Sequence, residues 1–398
     1  MLYRSMPANG DRLSILGFGC MRLPVKDGRI DETRATRQIR HAIDSGVNYV
    51  DTAWPYHGGQ SEPFLARALA DGYREKVKLA TKLPSWMVHT RADMDRFLDL
   101  QLERLDTACI DYYLVHGLNR SHWERLAPLG LLEFLDRAKS SGKIANAGFS
   151  FHGELAGFKQ ILDARPWAFC QIQYNFLDEE HQAGTEGLRY AASKGVGVIV
   201  MQPLRGGMLG LPSPPPAIAA IWEQAGNSRT PAAWALRWVW NHPEVIVALS
   251  GMNEESQVEE NLALARRARA DSLTAAELDV IRRVARAYRD LMRVGCTGCG
   301  YCKPCPSAVA IPDCFDVYNY LHMFGNTTGA GFVYVLRMSG LISGQAGYAS
   351  QCTRCGECLD KCPQSLQIPD LLELVAAEFE GGDLKAREAL VRQAMGLG

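Results

Sequence analysis

Eight short apolar runs, spaced by about 30 residues with helical-period segments between them, constrain the fold more than any other feature of this chain. They lie at residues 13–19 (LSILGFG), 47–53 (VNYVDTA), 76–82 (KVKLATK), 110–116, 144–150, 168–174, 195–202 and 245–251. Amphipathic stretches at 31–45, 91–105, 131–140, 185–194 and 231–241 separate them. Several runs are apolar almost without interruption, as parallel strands buried on both faces must be. Eight such units in about 270 residues predict an α/β fold, a (β/α)8 TIM barrel. An open doubly wound sheet is the alternative. Two stretches break the rhythm. Residues 204–227 begin LRGGMLGLPSPPP and read as a long Gly/Pro loop. Residues 255–269 and 274–293 read as closing helices, the second opened by a Thr274/Glu277 capping box.

Catalytic groups of such a barrel stand at the C-terminal ends of strands. Three successive predicted strands end on Asp51, Lys82 and His116, and Tyr56 follows in the loop after the first of them. Neighbouring strands lie about 4.8 Å apart, so the four side chains converge on one rim. A lone charge at a strand end is usually a solvated cap; three in register beside a tyrosine suit proton transfer to an oxygen. A free tyrosine has a pKa of about 10 and is a poor acid at neutral pH. An adjacent Lys82 ammonium favours the phenolate, Asp51 holds the ammonium, and His116 orients a carbonyl. Trp54, Trp86, Trp123 and Phe151 are candidates for pocket walls, with simple packing the plainer reading. Arg22 is a candidate contact for an anionic substrate.

The C-terminal part carries different chemistry. Eight of the twelve cysteines fall in CTGCGYCKPCP (296–306) and CTRCGECLDKCP (352–363). Thiols at this spacing ending on Cys-Pro follow the bacterial ferredoxin pattern, in which the last cysteine of each run serves the other cluster. That rule assigns Cys296, Cys299, Cys302 and Cys362 to one 4Fe–4S cluster, and Cys352, Cys355, Cys358 and Cys305 to a second. The first run has two rather than three residues before its last cysteine, which makes Cys305 the weakest assignment. Structural zinc held by four cysteines is the alternative.

The segments GFGCMRL, DTAWPY, ATK, DYYLVH and AGFS, in this order, resemble the aldo-keto reductase superfamily over about residues 1–290. The resemblance implies a barrel that uses NADP or NAD without a Rossmann fold, and a catalytic tetrad of Asp51, Tyr56, Lys82 and His116. It places Ser150 and Gln171 on the nicotinamide amide, with Phe151 where an asparagine is usual. Met201 takes the position of a ring that stacks on the nicotinamide. Leu204, Arg205, Gly206 and Gly207 take the segment over the pyrophosphate. Gly251, Met252, Gln257, Glu260 and Asn261 take the adenosine segment. The cations that hold a 2′-phosphate in some members are Gly251 and Gln257 here, so the choice between NADP and NAD stays open. The C-terminal runs resemble the two-cluster, ferredoxin-like domain appended to a subset of this superfamily, giving expected domains of 1–290 and 291–398.

Two functions follow. One is an oxidoreductase that moves hydride between a nicotinamide and a small carbonyl or alcohol substrate. The other is an electron-transfer protein in which the clusters serve a redox partner and the barrel docks a cofactor or that partner. A nicotinamide gives two electrons at once, a 4Fe–4S cluster takes one, and no flavin motif is evident, so the role of the clusters stays open between redox and structural. Net charge is −1, which gives no reason to expect nucleic acid. The first residues lack a signal-like apolar run and no apolar run reaches 18 residues, so the expected location is cytoplasmic, without a membrane contact.

Overall fold

The computed structural model describes residues 1–226, 228–325, 327–341 and 344–394. Eight strands form a closed, all-parallel barrel: β1 Leu16–Gly19, β2 Tyr49–Asp51, β3 Lys78–Leu83, β4 Ile110–Leu118, β5 Ile144–Phe151, β6 Phe169–Gln173, β7 Gly197–Met201 and β8 Val245–Ser250. Each pairs with the next, and β8 returns to β1. All eight fall within or beside the eight predicted runs, because a strand buried on both faces needs an apolar side chain at nearly every position. The open-sheet alternative is excluded by closure.

A hairpin of Tyr3–Ser5 and Arg12–Ser14 precedes the barrel, and Met6 and Leu13 join the core formed by Tyr49, Tyr112, Phe169 and Val247. The barrel wall is tight. A side chain at Gly148 of β5 would lie 2.5 Å from the Phe169 ring and 2.6 Å from the Phe169 carbonyl oxygen. Only glycine lets β5 and β6 approach this closely.

Predicted helices are found at Glu32–Asp44, Arg91–Arg104, Leu131–Ser140, Gly184–Ser193, Pro231–Trp240, Glu255–Ala265 and Ala275–Leu291. The capping box is present: Thr274 N–H donates to Glu277 Oε2 at 2.8 Å, and Glu277 N–H to Thr274 Oγ1 at 3.2 Å. One expectation is corrected. The stretch 204–227 is not a plain loop, since it contains helix Pro216–Glu223 with proline at its start. Proline there removes an N–H that has no intrahelical acceptor anyway, so a run that reads as a breaker serves as a helix entry.

By contacts the chain divides into two compact units: residues 1–204 with 228–278, and residues 205–227 with 279–398. The second unit is helical, with Ile311–Phe324, Thr327–Met338, Ile368–Phe379 and Leu384–Ala394 as its longer C-terminal helices. Its core includes Phe315, Tyr334, Leu372, Val375 and Phe379. Tyr334 stacks on Phe379 with ring centroids 4.5 Å apart and donates its hydroxyl to Glu380. Among the described residues, no helix is long and apolar enough to cross a membrane.

Candidate active site and cysteine sites

Strand register builds the rim. Asp51 of β2 pairs with Ala80 of β3, and Lys82 of β3 pairs with Leu114 of β4. Side chains alternate with period two, so Asp51, Lys82 and His116 share one face, each two residues further along its strand than the last. Lys82 Nζ lies 2.6 Å from Asp51 Oδ1 and donates to the Thr52 carbonyl at 2.6 Å. It is 3.5 Å from the Tyr56 hydroxyl oxygen. Asp51 and Lys82 are almost fully buried, at 2% and 0% exposed, and Tyr56 is 8% exposed. Tyr56 opens a short 3-10 turn, and left-handed φ angles of 52° at His57 and 64° at Gly58 curl the chain back on itself.

Burial pushes the Asp51 carboxyl up and the Lys82 amine down, while their short contact opposes both shifts. We take the ion pair as the state at neutral pH, because Lys82 has a carboxylate and a carbonyl both at 2.6 Å. Burial, then the Lys82 charge, holds His116 well below the usual histidine range, so its imidazole is neutral. Its ring centroid lies 6.2 Å from that of Tyr56 and 5.0 Å from that of Trp86.

The structure sorts the aromatic candidates. Trp54 packs edge-on to Phe97 and lies under the Arg104 guanidinium, 3.6 Å from the ring centroid. Trp123 and Phe151 are buried. Trp86 is 37% exposed and lies beside His116. Arg22 lies against Gly251, where an added Cβ would be 3.3 Å from Arg22 Cβ.

Behind the rim is a network that sequence reading missed. Buried Glu62 accepts from Thr81 Oγ1 at 2.7 Å and from Gln101 Nε2 at 2.6 Å, and Gln101 also donates to the Lys82 carbonyl at 3.0 Å. It braces β3 at Lys82. Its sequence signal is weak, because a glutamate one residue before Pro63 reads as surface.

The expected dinucleotide contacts fall into two groups. Ser150 Oγ accepts the Gly117 N–H at 2.8 Å and keeps its own proton to give. Gln171 Nε2 reaches Met201 Sδ at 3.6 Å, while its Oε1 is buried without a hydrogen-bond partner. A primary carboxamide matches this pair, taking the serine proton and giving its own to Gln171. The adenosine-side residues are engaged within the protein. Gln257 Oε1 accepts the N–H of Asn253 at 3.0 Å and of Glu254 at 3.3 Å, Glu260 accepts from Thr230, and Asn261 donates to Ser250 Oγ at 3.0 Å. These side chains shape the segment after Gly251. Leu204 is half-buried, and Gly206 is left-handed at φ 73°. Arg205 is 6% exposed; its guanidinium reaches Met292 Sδ at 3.0 Å and the Gly295 carbonyl at 3.5 Å.

In the second unit two small recesses gather the cysteines. Cys296, Cys299, Cys302 and Cys362 line the first, and Cys305, Cys352, Cys355 and Cys358 line the second, with Cys302 and Ile311 in the walls of both. These are the sets expected from the exchange of the last cysteine between runs, Cys305 included. Burial pushes the Cys296 thiol up to about 11, with the Gly298 N–H and the Arg205 charge acting the other way. Four cysteines in each set are the complement that a 4Fe–4S cube takes.

A parallel barrel with an Asp–Tyr–Lys–His rim, in one chain with two four-cysteine recesses, defines a barrel oxidoreductase carrying an iron–sulfur domain. The chain belongs to the Aldo/keto reductase family, which matches residues 15–283, and a 4Fe-4S dicluster domain matches residues 295–366. It is 28% identical to L-galactose dehydrogenase of Arabidopsis thaliana over 65% of this chain and 86% of that protein. It is 29% identical to 6-dehydroglucose reductase of Novosphingobium aromaticivorans over 65% of this chain and 88% of that protein. Among solved structures it resembles the holo form of aldo-keto reductase AKR11C1 from Bacillus halodurans, with a TM-score of 0.62 and 27% identity over 72% of this chain and 97% of that one.

Proposed function

We propose that this protein interconverts a small carbonyl compound and its alcohol with NADP or NAD, using Tyr56 as the proton donor and acceptor. The observation that carries this reading is the buried Lys82 ammonium, 2.6 Å from Asp51 and 3.5 Å from the Tyr56 hydroxyl oxygen. A cation held there stabilises negative charge on the phenol oxygen, so Tyr56 gives up its proton to a substrate oxygen more easily than a free phenol. Asp51 keeps Lys82 charged and aimed. Neutral His116 orients the substrate oxygen, and Trp86 walls it from water. A bound nicotinamide supplies or accepts the hydride. Ser150 and Gln171 would hold its carboxamide, Met201 would lie against the ring, and the backbone at Leu204 and Gly251 would receive the rest. The hydride chemistry belongs to residues 1–290 in this reading, and the clusters to 291–398.

The test is Tyr56→Phe. Turnover should fall on the order of 10² to 10⁴-fold with dinucleotide affinity retained; unchanged turnover sinks the assignment. The substrate panel starts with L-galactose and 6-dehydroglucose, the compounds in the relatives' names, and uses both NADH and NADPH.

A second reading, electron transfer to a partner, is favoured by the two adjoining recesses. Anaerobic mixing with NADH or NADPH separates the roles. Bleaching of the iron–sulfur absorbance supports a redox role, and full retention of it supports a structural one.

A further inference from the structure

The end of β5 brings a second histidine beside the rim, and its surroundings fix which ring nitrogen can accept a hydrogen bond. The ladder runs one step past Phe151: the His152 N–H donates to the Leu118 carbonyl of β4 at 2.8 Å. Side chains alternate along a strand, so His152 shares its face with Ser150. Phe151 points the other way and packs edge-on to Phe158, with ring centroids 5.2 Å apart. The strand that carries His116, β4, is the neighbour of β5, at a spacing of about 4.8 Å. His116 registers that proximity: burial lowers its pKa most, then the Lys82 charge, then the His152 charge.

His152 is half-buried, and its Nδ1 lies 3.1 Å from Gln182 Oε1. An amide oxygen only accepts, so Nδ1 carries the proton and Nε2 keeps the lone pair. Burial pushes the His152 pKa down to about 4 against the Gln182 contact, and the His181 charge adds to the fall, so the ring is neutral at working pH. The fold holds Gln182 to this contact. Its backbone is left-handed at φ 58°, a conformation that costs a residue other than glycine some energy. The loop that carries it is anchored at its start. Asn175 Nδ2 donates to Asp178 Oδ2 at 2.8 Å and to the Gln202 carbonyl at 3.0 Å, and Asn175 Oδ1 accepts the Leu177 N–H at 3.0 Å. Among the described residues the His152 ring bonds to Gln182 alone, which leaves Nε2 open.

We propose that His152 is a specificity residue whose Nε2 accepts the hydroxyl of a substrate that carries one on the carbon next to its carbonyl. Nε2 has no proton to give, so it passes over a carbonyl or ether oxygen and selects a donor. With the carbonyl oxygen at Tyr56 and His116, the adjacent carbon is the one that reaches the next strand. An analogue without the hydroxyl leaves the nitrogen desolvated and unpaired, which a polar site penalises more than lost contact area. This inference deepens the carbonyl reading above and rests on it.

The experiment compares hydroxyacetone with butanone, which differ by a hydroxyl in place of a methyl, on the full-length, iron-loaded protein with NADH and NADPH. His152→Phe should lower kcat/KM for hydroxyacetone about tenfold and leave that for butanone within about twofold. Dinucleotide affinity should also stay within about twofold. Gln182→Leu, which releases the tautomer, should lower kcat/KM for hydroxyacetone and spare butanone, and it decides by the same criterion should His152→Phe not fold. Equal losses on the two ketones, or none, overturn the proposal. A roughly tenfold loss of dinucleotide affinity gives His152 to the cofactor and overturns it too. A wild type that reduces neither ketone breaks the hydride reading separately, and calorimetric binding of both to the dinucleotide-loaded protein then decides. Tighter binding of hydroxyacetone that His152→Phe abolishes upholds the role of His152; equal or absent binding overturns it.

Discussion

The barrel rim and the cysteine sites solve the problem of burying polar groups in opposite ways. At the rim, the Lys82 ammonium is met at 2.6 Å by both Asp51 Oδ1 and the Thr52 carbonyl, inside strands whose register is already closed. In the second unit the eight thiols line two small recesses, and burial raises the pKa of Cys296, Cys302 and Cys358. The first site pairs its buried cation within the protein. The second is completed by iron, which binds thiolates and so turns buried thiols from a cost into ligands.

The sharpest way to break this contrast is to remove the metal. Iron analysis after anaerobic purification should find about eight irons per chain. Chelation under reducing conditions should abolish protease resistance around residues 296–363 while the barrel keeps its cooperative thermal transition. Zinc in place of iron, or loss of both transitions together, would refute the contrast.

Next in size is Lys82→Met. It leaves Asp51 buried without its cation, and breaking such a pair costs about 3 to 5 kcal/mol. Urea unfolding should show that loss, and turnover should fall with it. A variant as stable as wild type would mean that the pair is not the rim's support.

Gly148→Ala tests the wall rather than the rim. Its methyl meets the Phe169 carbonyl, which cannot turn away as a side chain can, so overpacking should cost about 1 to 3 kcal/mol. Denaturant midpoints measure it, with iron content unchanged.

The smallest effect is on pH. His116 is neutral when folded, well below the usual 6.5, whereas the unfolded chain takes up a proton there near 6.5. Its contribution is therefore fully present above 6.5 and is lost as pH falls from there toward the folded value. The barrel's melting temperature should drop between pH 7 and 5, and His116→Asn should flatten that slope. A slope unchanged by the substitution would show that other groups carry it.

Much of this was legible in residue order. The strands followed from apolar runs, since burial on both faces is a local requirement at each position. Asp51, Lys82 and His116 were legible because strand ends are the parts of a barrel whose location the period already determines. The cysteine sets followed from spacing. The duplicated Cys-Pro and Ile-Pro-Asp pattern at 305–313 and 362–370 was equally available and would have strengthened Cys305. Helix Pro216–Glu223 was obscured because proline breaks a helix interior and favours a helix start, and the sequence alone does not say which end is meant.

By itself, then, the sequence determined the barrel, the placing of polar groups on its rim and the grouping of eight cysteines into two sets of four, all properties carried by period and spacing. Tertiary structure alone decided the partners of long side chains. Trp54 went to Phe97 and Arg104, and Trp86 to His116. Arg205 went to Gly295, ninety positions away along the chain. An arginine's reach is set by what the fold brings within hydrogen-bonding distance, and no local pattern encodes that.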